Sequence, residues 1–229
     1  MNVAIIPARG GSKRIPKKNI KFFCGKPIIL YSIQKAIESK LFDYVFVSTD
    51  DKEISDISIQ NGASVPFLRD KEFSDDFTGT DEVIKNTLLR LEEEGYEIDL
   101  ACCIYPTAPL MQIKDIKDGY DKIKLQKWET VFSATTFSSP IQRSFKMNSE
   151  GGLEMFYPEN FNKRSQDLDT ALHDAGQFYW SSKKSWIEKK PGFSKNSSVI
   201  TIPNWRVQDI DNLDDWYRAE LIYRVLEAQ

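Results

Sequence analysis

The chain has 229 residues, of which 41% are hydrophobic and 28% charged, enough for one substantial α/β domain with its own core. Its formal net charge of −3 argues against a general nucleic-acid binder and favours small anions as partners of any local basic cluster. The sequence has no apolar stretch of about 20 residues and no signal-peptide segment, which predicts a cytoplasmic protein.

Apolar strand-like runs alternate with helical patterns through the first half of the chain, which is typical of an α/β protein with a parallel sheet. Gly62 and Gly95 follow two of the helical patterns and are expected to end those helices. The predicted strands cover residues 3–6, 44–50, 65–69 and 100–105, and the predicted helices cover residues 27–40, 51–61 and 80–94.

In the second half, a polar stretch rich in glycine and aromatic residues runs from about residue 139 to residue 175 and has no helical pattern. It is the one place where a small arm could leave an otherwise single domain of residues 1–229. Before it we predict a helix over 113–125 and a strand over 130–137, and after it strands over 176–182 and 197–203 and an amphipathic helix over 213–228.

The three cysteines, Cys24, Cys102 and Cys103, are an odd number and lack the spacing of a zinc site. Two of them lie in the apolar run LACCIY, so we expect buried free thiols.

The turn after the first predicted strand combines small and basic residues. Its sequence, PARGGSKRIPKKN from Pro7, lies at the carboxyl edge of the sheet, where ligands of open α/β sheets bind. Glycine N–H groups can face an anion without a Cβ in the way, and five basic side chains add positive charge. The spacing is neither GxxxxGK[ST] nor GxGxxG, so the pattern predicts a phosphate site of another design, with a basic surface loop as the alternative.

This motif resembles the signature of the CMP-sugar synthetases, the cytidylyltransferases that activate sialic acids and related nine-carbon acidic sugars. Further matches are YPTAPL at Tyr105, RSQDL at Arg164 and QDIDNLDDW at Gln208, so the resemblance covers nearly the whole chain. HDAGQFYW at His173, with PIQR at Pro140, is most similar to the pseudaminic acid branch. The resemblance implies a Rossmann-like nucleotidyltransferase fold, which is a three-layer α/β sandwich with a mostly parallel sheet, and an arm through which two chains form a homodimer.

Carried over residue by residue, the resemblance implies that CTP binds along the first loop, where Arg9 and Lys13 would also take part in catalysis. Arg69 and Thr80 match positions that recognise cytosine, and Thr80 could also be the N-cap of the next predicted helix. The positions implied for CTP are Arg9, Gly11, Ser12, Lys13, Lys18, Asn19, Arg69 and Thr80, whereas Arg14 and Lys17 match no such role and are expected to be solvated.

The segment YPTAPL is similar to the family's QPTSPLR and differs from it at three positions. Tyr105, Ala108 and Met111 replace a polar, a hydroxyl-bearing and a basic residue, while Thr107 still offers a hydroxyl. These changes remove polar contacts that a sialic acid enzyme would use, so they favour a sugar with a less polar substituent.

Asp209 and Asp211 are two residues apart, so in an extended segment both carboxylates project to the same side and could bind one hard cation. DID also fits the family's metal motif, which implies Mg²⁺ on this pair. The alternative is that the acidic residues favour the start of the closing helix, the role that we expect of Asp214 and Asp215.

The region around the arm borders the sugar site in the family. Arg164 could bind the sugar carboxylate as a bidentate fork, and the single histidine, His173, could do acid–base work or have a structural role. The aromatic residues of HDAGQFYW could form an apolar wall or belong to the strand's core. The positions implied for the sugar are Tyr105, Thr107, Arg164, Gln166, His173, Gln177, Phe178 and Tyr179, with Gln142 and Arg143 as weaker candidates.

The reaction implied is attack of the sugar's anomeric hydroxyl on the α-phosphorus of CTP, with release of pyrophosphate. The sequence has no GxSxG motif and one histidine, which is consistent with catalysis by positioning and charge neutralisation. Synthetases for N-acetylneuraminic acid, legionaminic acid or KDO are the alternatives within the family. A noncatalytic nucleotide sensor and a nucleic-acid binder are the alternatives from other classes.

Overall fold

The computed structural model describes residues 1–75, 77–188 and 192–228. The strands are β1 (Asn2–Pro7), β2 (Phe22–Phe23), β3 (Lys26–Pro27), β4 (Tyr44–Ser48), β5 (Leu100–Ile104), β6 (Thr130–Thr136), β7 (Phe145–Met147), β8 (Leu153–Met155), β9 (Leu172–Ser182) and β10 (Ser197–Thr201). The helices are α1 (Ile29–Ser39), α2 (Lys52–Gln60), α3 (Thr80–Glu93), α4 (Ile113–Lys124), α5 (Lys183–Ile187) and α6 (Leu213–Glu227).

Six of these strands form one sheet in the order β10-β6-β9-β5-β1-β4. Strand β1 pairs in parallel with β4 and β5, β10 pairs in parallel with β6, and β9 runs antiparallel to both β5 and β6. The carboxyl ends of β1, β4 and β5 therefore meet at one edge of the sheet, as the alternating pattern predicts.

Helices cover both faces of the sheet. Along β1, Ile6 faces a cluster with Ile33 of α1 and Ile116 of α4, whereas Ile5 faces a cluster with Leu88 of α3. Each such side chain, fully removed from water, contributes about 1.5–3 kcal/mol to folding. The expected three-layer α/β sandwich with a mostly parallel sheet is confirmed.

A glycine inside α4 lets that helix lie close to β9. A Cβ at Gly119 would lie 2.8 Å from the ring of Phe178 and 2.9 Å from that of Trp180. The Trp180 indole donates to the carbonyl of Ile116 at 3.2 Å. Gly119 is therefore needed for packing.

The predicted helices agree with the structure within two residues at each end. Gly62 and Gly95 follow α2 and α3 with φ of 89° and 91°, the left-handed conformation expected of a glycine that ends a helix. The strand predicted over 65–69 is wrong: a single bridge joins Ser64 to Phe46, and Pro66, which has no N–H, follows it.

We call the stretch 140–175 the arm. It contains the short hairpin β7–β8 and single 3₁₀ turns, and the last residues of the stretch belong to β9. The predicted start of that strand at residue 176 is therefore late, because β9 extends along β6 through a register shift.

Cys102 and Cys103 are buried as predicted, whereas Cys24 is half-buried. Within the described residues, no helix has the length and apolar composition that a membrane crossing requires.

A buried ion pair ties the segment before α6 to α4. The Arg206 guanidinium donates to both carboxylate oxygens of Asp115, at 2.6 and 3.1 Å. Both side chains are about nine-tenths buried. Because Arg206 lies three residues before Asp209, this pair fixes where the acidic segment starts.

We expect Arg206→Ala to lower the free energy of unfolding by about 3–5 kcal/mol, because it leaves the Asp115 carboxylate buried without its partner. Chemical denaturation followed by circular dichroism measures this. The double variant Arg206→Met, Asp115→Leu should recover part of the loss, since it buries no charge.

The matched control is Asp118→Asn, which breaks an exposed pair with Lys114 on the same helix and should leave stability unchanged. A small loss with Arg206→Ala, similar to that of the control, would contradict the assigned role of the pair.

Candidate active site

A cavity of about 300 Å³ opens at the carboxyl ends of β1 and β5, and basic side chains surround it. In a chain with net charge −3, this concentration of positive charge suits a polyanionic ligand. The polar and charged side chains that line it are Arg9, Ser12, Lys13, Arg14, Lys18, Asn19, Arg69, Asp75, Thr78, Thr80, Tyr105 and Thr107.

The loop after β1 depends on one of its two glycines. The Gly10 N–H donates to Asp50 Oδ1 at 3.0 Å, and a Cβ at Gly10 would lie 2.6 Å from the carboxylate of Asp51. Gly11, the glycine expected to bind CTP, is exposed with open space around it. Gly10 is thus the position that only glycine fits.

Two side chains expected to contact CTP also hold the loop together. The Asn19 amide donates to the carbonyl of Arg9 at 2.9 Å and is buried. Arg9 in turn donates to the carbonyl of Asp75 at 2.6 Å, on the far side of the cavity. The Asp75 carboxylate accepts the N–H groups of Phe77 and Thr78 and the hydroxyl of Thr78, so these bonds hold it in place.

Arg14 and Lys17 are both largely exposed, as expected, and each forms an ion pair. Arg14 lines the cavity and lies 2.7 Å from the carboxylate of Asp211. Lys17 instead pairs with Glu53 on the exposed surface.

Arg69 lines the cavity from a buried position. Its side chain is 3% exposed, and its Nε donates to the Ser74 hydroxyl at 3.2 Å. Burial lowers the pKa of Arg69, while the nearby charge of Asp50 raises it. Arginine nonetheless stays charged, so this is a fixed donor in the wall of the cavity.

The alternative role predicted for Thr80, as the N-cap of α3, is wrong. Gly79 occupies the cap position, and Thr80 is the first helical residue. Its hydroxyl lies 3.4 Å from that of Tyr105 and faces the cavity. The Thr80 hydroxyl can therefore contact a ligand, as expected.

A second cavity, of about 340 Å³, adjoins the basic one across Thr80 and Tyr105. Tyr179 lines it and donates to Asp174 Oδ2 at 2.5 Å, and its ring centroid lies 5.3 Å from that of Tyr105. Burial, with smaller contributions from Tyr105 and Asp174, raises the pKa of Tyr179, so it remains a donor at neutral pH. The aromatic walls include Phe132.

Strand alternation separates the aromatic residues of β9. Tyr179 faces the second cavity, whereas Phe178 faces the other way and packs in the core against Gly119. The structure therefore places Phe178 away from the cavities, in the core role that was its alternative. Gln177 is also buried: its amide nitrogen lies 3.4 Å from the carbonyl of Arg206, and its Oε1 has no hydrogen-bond partner.

The acidic pair lies beside the basic cavity. Asp209 and Asp211 flank the buried Ile210, whose carbonyl accepts a bond from Lys18 Nζ at 2.7 Å. That nitrogen is 3.9 Å from Asp211 Oδ1. The pair is thus joined to the cavity through the side chains of Lys18 and Arg14.

The residues of this pair fit a divalent cation. Burial, and after it the charge of Asp211, raises the pKa of Asp209, which means that the two carboxylates repel each other. No group of three or more His, Cys, Asp and Glu residues in the described parts of the chain is arranged for a metal ion. Mg²⁺ binds through one or two carboxylates plus substrate phosphates, so the chemistry of two neighbouring carboxylates beside the basic cavity suits it. The next acidic residues serve α6 as expected, since Asn212 and Asp215 form its capping box.

The residues of the arm that were expected at the sugar site lie outside both cavities. Arg164 is exposed and makes a bidentate pair with Asp167, at 2.7 and 3.0 Å. Gln166 lies in the same exposed turn. His173 is exposed, with its Nδ1 2.9 Å from the carbonyl of Asp174 and its ring 4.7 Å from that of Phe137.

Sequence reasoning missed Asp50, Asp75 and Asp174. Asp50 had a usable signal, because it lies two residues after the end of strand β4, at the carboxyl edge of the sheet. Asp75 lies in a loop and Asp174 beside the register shift of β9, and the sequence holds no pattern for either position.

Comparisons with known proteins identify the family of the chain. The family model described as cytidylyltransferase matches residues 3–196. The pseudaminic acid cytidylyltransferase of Campylobacter jejuni subsp. jejuni serotype O:2 is 44% identical over 98% of this chain and 97% of its own length. The CMP-N,N'-diacetyllegionaminic acid synthase of Legionella pneumophila is 30% identical over 95% and 94%.

The fold is also found among solved structures. CMP:2-keto-3-deoxy-manno-octonic acid synthetase, complexed with CTP, superimposes with a TM-score of 0.73 over 98% of this chain and 99% of that chain, at 14% identity. The 4-diphosphocytidyl-2C-methyl-D-erythritol synthase of Anaerococcus prevotii superimposes with a TM-score of 0.61, at 12% identity. These two similarities concern the fold, while the family match covers most of the sequence. The chain therefore belongs to the cytidylyltransferase family, whose members are nucleotidyltransferases.

Proposed function

We propose that the protein transfers CMP from CTP to the anomeric hydroxyl of pseudaminic acid, giving CMP-pseudaminic acid and pyrophosphate. The observation that carries the proposal is the basic cavity at the carboxyl edge of the sheet, in a chain 44% identical to a pseudaminic acid cytidylyltransferase. In the reaction, the anomeric oxygen forms a bond to the α-phosphorus, the bond from that phosphorus to the β-phosphate oxygen breaks, and the hydroxyl proton passes to solvent.

The triphosphate lies, in this proposal, against the loop after β1. Arg9, Lys13 and Lys18 supply positive charge to the phosphates, and Ser12 supplies a hydroxyl donor. Arg69 and Thr80 lie across the same cavity and bind the cytosine base. Arg9, Lys18 and Arg69 are already held by hydrogen bonds within the chain, so they stabilise the charge on departing pyrophosphate with little reorganisation.

Asp209 and Asp211 would hold magnesium, which would neutralise negative charge on the phosphates. The chain's own residues prepare that position: Lys18 binds the carbonyl between the two aspartates, and Arg14 balances the charge of Asp211.

The sugar lies, in this proposal, where the two cavities meet. Tyr105 and Thr107 line the basic cavity, and Tyr105 and Tyr179 line the adjoining one, whose aromatic walls suit a sugar with apolar substituents. Gln177 lines neither cavity, and its buried Oε1, which has no partner, would reach the sugar only if the side chain moved.

The arm is proposed to form the contact between two chains of a homodimer. Within residues 145–161 it exposes an unusual number of large apolar side chains, which an isolated chain would leave in water. Arg164, Gln166 and His173 would then reach the cavity of the second chain. The exposed apolar residues are Phe145, Met147, Leu153, Phe156, Tyr157 and Phe161.

The substrate assignment is tested with purified protein, CTP and magnesium against pseudaminic, legionaminic, N-acetylneuraminic and KDO acids. We expect pyrophosphate release and a CMP-sugar of the correct mass with pseudaminic acid, at least tenfold faster than with the others. Faster turnover of another sugar would correct the acceptor. CTP binding without product from any sugar would instead favour a nucleotide sensor.

Asp211→Ala should abolish turnover, at least 100-fold in kcat, because one carboxylate is lost from the proposed metal pair. The circular dichroism spectrum should be unchanged, since Asn212 and Asp215 still cap α6. Asp214→Asn, on the exposed first turn of the same helix, is the matched control and should keep full activity. An active Asp211→Ala enzyme would remove the metal assignment.

Replacing Phe145, Leu153 and Phe156 together by serine should convert the proposed dimer to a monomer, because the apolar contact of the arm is lost. Size-exclusion chromatography with light scattering measures this. Leu125→Ser, at an exposed position outside the arm, is the control and should stay dimeric. A wild-type monomer, or a dimer that survives the triple change, would refute the role of the arm.

A further inference from the structure

Asp50 lies between two parts of the nucleotide cavity. It follows β4 at the carboxyl edge of the sheet, and its Oδ1 accepts the N–H of Gly10 at 3.0 Å. The same oxygen is 3.8 Å from Nη2 of Arg69. One carboxylate oxygen therefore contacts both the phosphate loop and the guanidinium on the opposite wall.

Arg69 and Gly10 both depend on the carboxylate of Asp50. The Arg69 side chain is 97% buried and cannot lose its proton, so it needs a counter-charge close by. The chain at Gly10 has no room to shift toward α2, because the carboxylate of Asp51 already fills the space beside its Cα. Asp51 is itself held as the N-cap of α2 by accepting the N–H of Ile54.

We propose that Asp50 is a positioning residue that holds the phosphate loop and Arg69 in one arrangement, so that triphosphate binding and base selection depend on the same carboxylate. This inference rests on the proposed function, in which Arg69 faces the cytosine base.

The consequence is a preference for cytosine over uracil. A guanidinium only donates hydrogen bonds, and cytosine offers two neighbouring acceptors, O2 and N3, where uracil carries a hydrogen on N3. A guanidinium that is held in place rejects the second base, whereas one that can move aside accepts both.

The test is Asp50→Asn, which keeps the shape of the side chain and removes its charge. We expect the KM for CTP to rise about tenfold or more, because the buried Arg69 loses its counter-charge and the bond from the Gly10 N–H is no longer made to a charged acceptor. The ratio of kcat/KM for CTP to that for UTP should fall by a similar factor. A purely structural role for Asp50 would lower activity without changing that ratio.

Asp56→Asn is the matched control. Asp56 lies on the exposed side of α2 and pairs with Lys52, so its change should leave both the KM and the nucleotide ratio as in wild type. In a background of Arg69→Ala, Asp50→Asn should produce little further loss of selectivity, because its effect on the base passes through Arg69.

If Asp50→Asn does not fold, Asp50→Glu provides a second test. It keeps a counter-charge for Arg69 but displaces the carboxylate by one methylene, so we expect a stable protein with reduced preference for CTP. Unchanged KM and unchanged nucleotide ratio in either folded variant would overturn the proposal. Titration calorimetry with CTP or UTP and magnesium gives the same comparison without any sugar, so a wrong acceptor would not obscure the result.

Discussion

The positive charge of the cavity must be balanced before any ligand arrives, and most of the site's construction follows from this requirement. Side chains of like charge repel each other, more strongly where they are buried. Asp211 balances Arg14, and Asp50 stands beside Arg69. A backbone carbonyl can also partly compensate a positive charge, as that of Ile210 does by accepting a hydrogen bond from Lys18. The arrangement leaves donors aimed at the cavity while the charge behind them is compensated.

The same requirement connects distant parts of the chain. Ile210 lies 192 residues from Lys18 in sequence, and the segment that carries it starts at the buried pair of Arg206 with Asp115. A change in α4 can therefore alter the acidic pair without touching it. The proposed metal site is thus a product of packing between α4, the loop after β1 and the start of α6.

Strand β9 separates the core from the site within one segment. Because successive side chains of a strand alternate, Phe178 and Trp180 pack under α4, whereas Tyr179 turns toward the second cavity and binds Asp174. The sequence pattern GQFYW could not distinguish these roles, since all three aromatic residues suit a strand. Its antiparallel direction also carries the chain from the arm straight into the middle of the sheet.

Sequence alone determined five of the six helices in the described residues, the parallel arrangement of the first strands and the position of the basic loop after β1, because local periodicity and turn residues specify these features. It also singled out most of the cationic residues around the cavity and the acidic pair beside it. Only the tertiary structure decided that Gly10 rather than Gly11 needs to be glycine, that Arg14 faces the cavity and that Phe178 does not. Each of these depends on what an element packed from elsewhere in the chain places beside the residue, and a linear pattern does not contain that information.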